Sequence, residues 1–465
     1  MMAVRARTLL VLLFGACLIA CDGAAAGQDG LAATVEPHEP ILRFDWPAIQ
    51  VGVGSYEAGP TGVTVIRFPH RASLVVDTRG GAPGTVNTDA LHLGYDQPRW
   101  DAVVFAGGSA YGEEAITAVT TGLKDDGLRS GKKGTIAFVT GAIIYDFGSR
   151  RLNEIYPDKR LAQAALHALH PGSFPLGAQG AGRMAIQGSF FGCNAHSGQG
   201  AAFREIDGIK VAAFVVVNAL GSVVDRQGKV LSCHPAPNWH GQPGIAALMS
   251  NVSASRSANR ETPQEPGPSV DTPTHRNTTI SLIVTNKKLT YAQLSRLAVQ
   301  VHTSMARAIQ PFSTFDDGDT LFAASTNEVP GESMMGNTLD TIAGEVMWDA
   351  ILASVPQEPP FNPPPPVSVS PERLRGLSGT YAFGPEAKLK VMEDAGQLKV
   401  LALESPVFEF RPGTPAVVQA ISDTAFYVAG RYHTRLSFVP GSDGRVSAAI
   451  LNAGPWAQTS LSKSD

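Results

Sequence analysis

Residues 276–286 read Arg-Asn-Thr-Thr-Ile-Ser-Leu-Ile-Val-Thr-Asn. Ile280 to Val284 form an apolar, β-branched run that predicts a buried strand, and Thr278 stands at its head, directly after Asn277. Upstream, Ser253 to His275 is rich in Ser, Pro, Glu, Asn and Thr and holds too little apolar surface to order itself. A polar tail thus runs straight into a strand with a threonine at the junction. Two readings stand here. Thr278 is either the first residue of a strand after a surface loop, or a self-made nucleophile. Cutting the Asn277–Thr278 bond would give Thr278 a free α-amine, of ordinary pKa about 8, beside its own hydroxyl, so that base and nucleophile share one residue.

The chain of 465 residues exceeds one ordinary core, so two domains are expected. Hydrophobic content of 43%, charge of 17% and a net charge of −4 describe a globular protein with no basic excess for nucleic acid. Residues 1–27 read as a targeting segment. Arg5 and Arg7 precede an apolar run, Leu9 to Ala20, too short to span a bilayer. Leu18-Ile19-Ala20-Cys21 resembles a bacterial lipobox with Cys21 as the lipidated residue; the alternative is an ordinary secretory signal cut near Ala24 to Ala26. Either predicts export, to the periplasm or to a membrane surface through a lipid anchor. Cys193 and Cys233 remain, which an oxidising compartment permits to pair.

From Val51 short apolar runs alternate with Gly-rich turns. Val63 to Phe68, Ala72 to Asp77, Ala102 to Phe105, Thr135 to Val139 and Val211 to Val217 are predicted strands, several apolar on both faces as in covered sheets. Thr290 and Gln293 form a capping box, with Leu294, Leu297, Val301, Met305 and Ala308 on one face of the helix that follows. Thr338 to Val355 is a second amphipathic helix, and the pattern is α/β with layered sheets and helices. Residues 356–371 read as a stiff Pro-rich linker. Residues 372–465 carry short alternating strands with turns such as Asp443-Gly444, predicting a small all-β accessory domain, similar to those appended to secreted β-lactamase-like hydrolases.

Several motifs are excluded. Gly80 to Thr85 and Gly107 to Ala110 lack a phosphate-loop lysine, and Gly52-Val53-Gly54 lacks a third glycine. Their glycines are expected to admit close backbone approach. Ser109 has Gly107 two residues before it, but Tyr111 occupies the second glycine position of a nucleophile elbow, which leaves a loop serine. His234 and His240 lack metal-site spacing, so no metal is expected. Polar residues at strand ends are more informative. Asn218 follows Phe214 to Val217 and can offer an amide to an oxyanion, or simply form a turn. Tyr145 follows Ile143-Ile144. Asp316-Asp317-Gly318-Asp319 can orient an ammonium and hold protons, or form a solvated turn.

Taken together, the stretches Thr61 to Ile66, Arg79 to Thr85, Gly107 to Gly112, Val217-Asn218-Ala219, Asn277 to Ile280 and Asp317 to Thr320 resemble, in order, the DmpA-like self-processing peptidases (L-aminopeptidase/D-amidase/D-esterase), with nylon oligomer hydrolase and β-peptidyl aminopeptidases among them. The resemblance implies an αββα sandwich of the DmpA/ornithine acetyltransferase type across residues 28–355, self-cleavage between Asn277 and Thr278, and a homo-oligomer of processed heterodimers. It makes Thr278 the nucleophile and its freed amine the base. Asn218 falls in the oxyanion hole, Asp317 and Asp319 orient Thr278, and Tyr145 lines the cleft.

Two departures stand out. Gln187, in Gln187-Gly188-Ser189-Phe190-Phe191-Gly192, replaces a lysine common in the family and brings hydrogen bonds but no charge. Ile143 stands where amine-recognising relatives carry a glutamate, so amide hydrolysis is better founded than aminopeptidase specificity. The expectation is an exported threonine-type amidohydrolase acting on a small peptide or amide through an acyl-enzyme, with Gln187 and Ser109 in supporting places and no cofactor. An acyltransferase of the ornithine acetyltransferase type and a degenerate peptide-binding lipoprotein are the alternatives.

Overall fold

The computed structural model describes residues 30–463 except 58, 95–98, 133–134, 148–154, 192–194, 234–243, 251–276, 331–333, 335, 357–364, 383–386, 406, 408–409, 429–430 and 452–460. The expected targeting segment with Cys21, the polar tail before Thr278, Cys193, His234 and His240 therefore lie outside the described residues. Cys233 is buried and disulfide-bonded.

Among the described residues, the larger part of the chain is built on eight long strands, β1 (Gln50–Tyr56), β2 (Thr61–Thr78), β3 (Trp100–Ala106), β4 (Val139–Ile143), β5 (Gln199–Ile206), β6 (Ile209–Asn218), β7 (Thr278–Lys287) and β8 (Thr320–Val329), with three two-residue strands at their edges. Their order is β5-β6-β7-β8-β2-β3-β4, with β1 paired beside the first half of β2. The pairs β7–β8 and β3–β4 are parallel and the other neighbours antiparallel. β2 belongs to two sheets, because Val63 to Arg67 pair with β1 and β3 whereas Ser73 to Thr78 pair with β8. The two predicted strands Val63 to Phe68 and Ala72 to Asp77 are one strand, irregular between them, with Arg71 at φ +59° and a register shift between Arg67 and Ala72.

The predicted strand Thr135 to Val139 is corrected to Val139–Ile143. Gly141 and Ala142 look weak for a strand, yet a Cβ on Gly141 would sit 2.1 Å from the Val104 carbonyl oxygen, so the close β3–β4 contact needs glycine there.

Alternation at period two splits β6 between two cores. Ala212, Phe214 and Val216 join Ile280, Leu282, Phe105 and Trp46 between the sheets. Val211, Ala213, Val215 and Val217 face the other way, onto the helices that follow β7 and β8. Helices α1 (Glu113–Asp125) and α2 (Lys159–His167) pack against β3, β4 and β1; α3 (Tyr291–Ser304) and α4 (Gly336–Ala353) cover the sheet that holds β5 to β8. The Thr290–Gln293 capping box is present, and Leu294, Leu297, Val301, Met305 and Ala308 are all buried. The larger part is thus mixed α/β, with two sheets between helices.

Beyond the Pro-rich segment, Pro371 opens helix α5 (Pro371–Leu377), where its missing N–H costs nothing. An eight-stranded antiparallel meander follows from Gly379 to Ser462, and a bridge between Tyr381 and Lys463 draws its first and last strands together into a barrel-like form. Its interior is filled by Leu377, Tyr381, Val400, Phe410, Phe426 and Phe438 among others.

Candidate active site

Four strand ends meet at one place. In the antiparallel pair β6–β7, Asn218 lies opposite Thr278, so the last residue of one strand faces the first of the other. In the parallel pair β7–β8, Ile280 lies opposite Thr320. Continued two residues upstream, that register sets Gly318 opposite Thr278, and a bridge joins Asn277 to Asp317. The end of β2 lies opposite Thr320 at Thr78, which brings the Arg79 to Thr85 loop onto the acidic loop. Arg79 and Gly80 donate their amides to the Asp319 carbonyl oxygen at 3.0 and 3.2 Å, and Ala82 donates to that of Asp317 at 2.8 Å. A Cβ on Gly80 would lie 2.4 Å from the Asp317 carbonyl oxygen, so this glycine serves close backbone approach.

Asn277 and Thr278 are both 2% exposed. The Thr278 hydroxyl donates to the Asn277 carbonyl oxygen at 2.6 Å. A second donor, the backbone N–H of Gly318, reaches the same oxygen at 2.8 Å. Because a C=O bond is about 1.23 Å, the hydroxyl oxygen lies at most about 3.8 Å from the Asn277 carbonyl carbon. The peptide bond before Thr278 is therefore flanked by a hydroxyl and held by an amide donor on its oxygen, which is where charge would develop on attack.

The two buried carboxylates are bonded to backbone on several sides. Asp317 accepts from the Thr314 hydroxyl at 2.8 Å and from the amides of Thr314 and Leu220 at 3.3 Å each. Asp319 accepts from the Thr279 amide at 2.6 Å and the Ser313 amide at 2.9 Å. Burial raises both above the usual carboxylate range. Asp319, with Asp317 as an added repulsion, is pushed up to about 8.

Asn218 is fully buried. Its Nδ2 donates to the Tyr145 carbonyl oxygen at 3.0 Å and its Oδ1 accepts from the Ile186 amide at 3.2 Å, which ties the half-buried Tyr145 segment to the same strand end. Ser109 is buried, at φ +53°, where its hydroxyl accepts from the amides of Asp146 and Phe147 at 3.2 and 3.1 Å and so fixes the loop that carries Tyr145. Gln187 is buried with both ends of its amide used: Nε2 donates to the Ser232 carbonyl oxygen at 2.5 Å and Oε1 accepts from the Val223 amide at 2.9 Å. The neighbouring Ser189 hydroxyl is 3.5 Å from the Asn277 side-chain oxygen.

The structure thus gathers Asn218, Asn277, Thr278, Asp317 and Asp319 at one point, with Tyr145 joined through Asn218. Sequence reasoning missed the Gly318 amide and the Thr314, Leu220 and Ser313 donors, all but one of them backbone groups without a side-chain signature. Among the described residues no three His, Cys, Asp or Glu side chains are grouped to hold a metal ion.

The sequence profile of peptidase family S58 matches residues 44–357. The 6-aminohexanoate-oligomer endohydrolase of Paenarthrobacter ureafaciens is 41% identical over 324 residues, covering 67% of this chain and 85% of that protein. Among solved structures, the β-aminopeptidase of a Burkholderia species aligns with TM-score 0.45 and 15% identity over 81% of this chain and 94% of its own. The L-aminopeptidase D-Ala-esterase/amidase of Ochrobactrum anthropi aligns with TM-score 0.46 and 18% identity over 70% and 87%. The chain belongs to peptidase family S58, the DmpA family, and is a hydrolytic peptidase or amidase.

Proposed function

We propose that the chain is a self-processing, threonine-type amidohydrolase that cuts its own Asn277–Thr278 bond and then hydrolyses small peptides or related oligoamides through an acyl-enzyme. One observation carries this reading: the Thr278 hydroxyl and the Gly318 amide converge on the Asn277 carbonyl oxygen at 2.6 and 2.8 Å. In the first step the Thr278 Oγ attacks the Asn277 carbonyl carbon. The C–N bond breaks, the hydroxyl proton passes to the departing Thr278 nitrogen, and an ester remains. Water then hydrolyses that ester, leaving an Asn277 carboxylate and a free Thr278 with hydroxyl and amine side by side. Turnover repeats the chemistry on a bound amide. The amine takes the hydroxyl proton and returns it to the leaving amine, and water releases the acyl group.

The fold in this reading is the αββα sandwich of self-processing hydrolases, with the barrel-like part as an appended domain. Export as a lipoprotein through Cys21, and assembly of processed heterodimers into a larger oligomer, complete the proposal. Gln187 acts as a clamp between Val223 and Ser232. The test is the intact mass of purified protein with N-terminal sequencing. Wild type is expected as two fragments, the second starting at Thr278, and Thr278→Ala as one uncut, inactive chain. Cleavage or turnover by Thr278→Ala would overturn the assignment.

A further inference from the structure

A fully buried imidazole stands behind the site, on an element the sequence does not connect with it. His302, on α3, places Nδ1 2.8 Å from the Asp77 carboxylate near the end of β2. The same Asp77 oxygen accepts from Arg79 Nε at 2.6 Å. Arg79 and Gly80 in turn donate their backbone amides to the Asp319 carbonyl oxygen at 3.0 and 3.2 Å. On its other side the His302 ring meets Phe312 edge-on, centroids 5.5 Å apart, and the next residue, Ser313, donates its amide to the Asp319 carboxylate at 2.9 Å from a left-handed conformation, φ +54°. The contacts on the Asp319 main chain and one of the two amides on its carboxylate therefore lead back to one side chain.

The protonation state follows from the surroundings. Burial holds His302 below its ordinary pKa against the pull of Asp77, so the ring is neutral at neutral pH. Asp77 is itself below the usual carboxylate range, because hydrogen bonds from His302 and Arg79 outweigh its burial, and is ionised. With the carboxylate as acceptor, the His302 proton is on Nδ1. Its Nε2 has no hydrogen-bond partner among the described residues.

We propose that His302 is a positioning residue for the Thr278 chemistry: through Asp77 and Arg79 it fixes the Asp319 main chain, and through Phe312 it holds the Ser313 amide on the Asp319 carboxylate. The proposal rests on Thr278 being the nucleophile and adds a residue that touches neither Thr278 nor substrate.

Self-cleavage needs no added substrate, so it serves as the assay. Wild type, His302→Leu and His302→Asn are purified as full chains at low temperature, and the uncut fraction is followed by intact mass alongside the thermal midpoint. Leucine fills the site but removes the link to Asp77; asparagine can set its Nδ2 where His Nδ1 lies. Displacing a catalytic group by about 1 Å costs on the order of 100-fold. His302→Leu is therefore expected to slow cleavage by about 10- to 100-fold, and His302→Asn to restore most of the rate at a similar thermal midpoint. Equal rates for wild type and His302→Leu would overturn the proposal, as would His302→Asn being as slow as His302→Leu. If His302→Leu does not fold, Asp77→Leu removes the acceptor that His302 and Arg79 share and must slow cleavage likewise; an unchanged rate overturns the proposal. A wild type that never cuts would overturn the Thr278 reading and this one with it, whereas a wild type that cuts no faster than His302→Leu overturns this one alone.

Discussion

Replacing Gly318 by alanine should slow self-cleavage by about 100- to 1000-fold while leaving the fold intact. A Cβ built on Gly318 would lie 2.6 Å from Thr278 Oγ1, 2.6 Å from the Ala82 carbonyl oxygen and 3.2 Å from Thr278 Cγ2. Ordinary contact needs about 3.5 Å, so the Gly318 segment must retreat by about 0.9 Å. Ala82 cannot give way easily, because its amide is bonded to the Asp317 carbonyl oxygen at 2.8 Å. The Gly318 N–H, now 2.8 Å from the Asn277 carbonyl oxygen, would then pass the limit of a useful bond at about 3.2 Å. Loss of one preorganised oxyanion donor costs about 100- to 1000-fold, or about 3 to 4 kcal/mol of barrier. Gly318 does not adopt a left-handed backbone, so alanine is strained by contact alone and not by φ. The assay is the half-life of the uncut chain by intact mass, with near-ultraviolet circular dichroism as the control for folding. A folded Gly318→Ala chain that cuts within about threefold of wild type, far short of the loss expected for a missing donor, would refute the role given to this amide.

Two further outcomes follow from the site and the fold. Asp319 is raised to about 8 by burial and by Asp317, so the folded chain holds a proton that the unfolded chain loses near the ordinary value of 3.8; its stabilising contribution is complete below that value and disappears as pH rises to about 8. The urea midpoint of uncut Thr278→Ala should accordingly fall across this window, and adding Asp319→Asn should reduce the slope, with Asp317 supplying what remains; an unchanged slope would contradict the buried protonated carboxyl. A chain ending at Pro356 should still cut itself, since the two cores that position Thr278 contain no residue beyond Val355 and the barrel core none before Val369; failure of a soluble truncation to cut would tie the barrel to the chemistry.

The residues that were legible in the sequence are those whose signal is local. Thr278 and Asn218 each terminate a long apolar run, and such runs end where a strand leaves the core, so a polar residue at that point is conspicuous. The capping box at Thr290 and the helix face below it are likewise short-range patterns. Strand pairing is not local. That Asp317 and Asp319 lie beside Thr278 depends on the parallel register of Ile280 with Thr320, forty residues apart in the sequence, and only the resemblance to a family linked them beforehand. Gln187 illustrates the converse. It stands where the family commonly carries a lysine, which suggests a supporting role in the chemistry, but both ends of its amide are occupied by backbone of the Val223 and Ser232 segments.

The least legible part is the donor set, and the reason is physical. An oxyanion is best held by donors that cannot reorganise, and backbone amides fixed by a sheet register meet that requirement better than flexible side chains. Gly318 is the outcome: between two aspartates, it is the residue type that lets its amide approach Asn277 with Thr278 Oγ1 only 2.6 Å from where a Cβ would be. The acidic flanks attract attention in a sequence, yet the glycine between them makes the contact with the Asn277 carbonyl oxygen. His302 is hidden in the same way, 225 residues from Asp77, with its influence on Asp319 passing through three backbone amides and an aromatic contact.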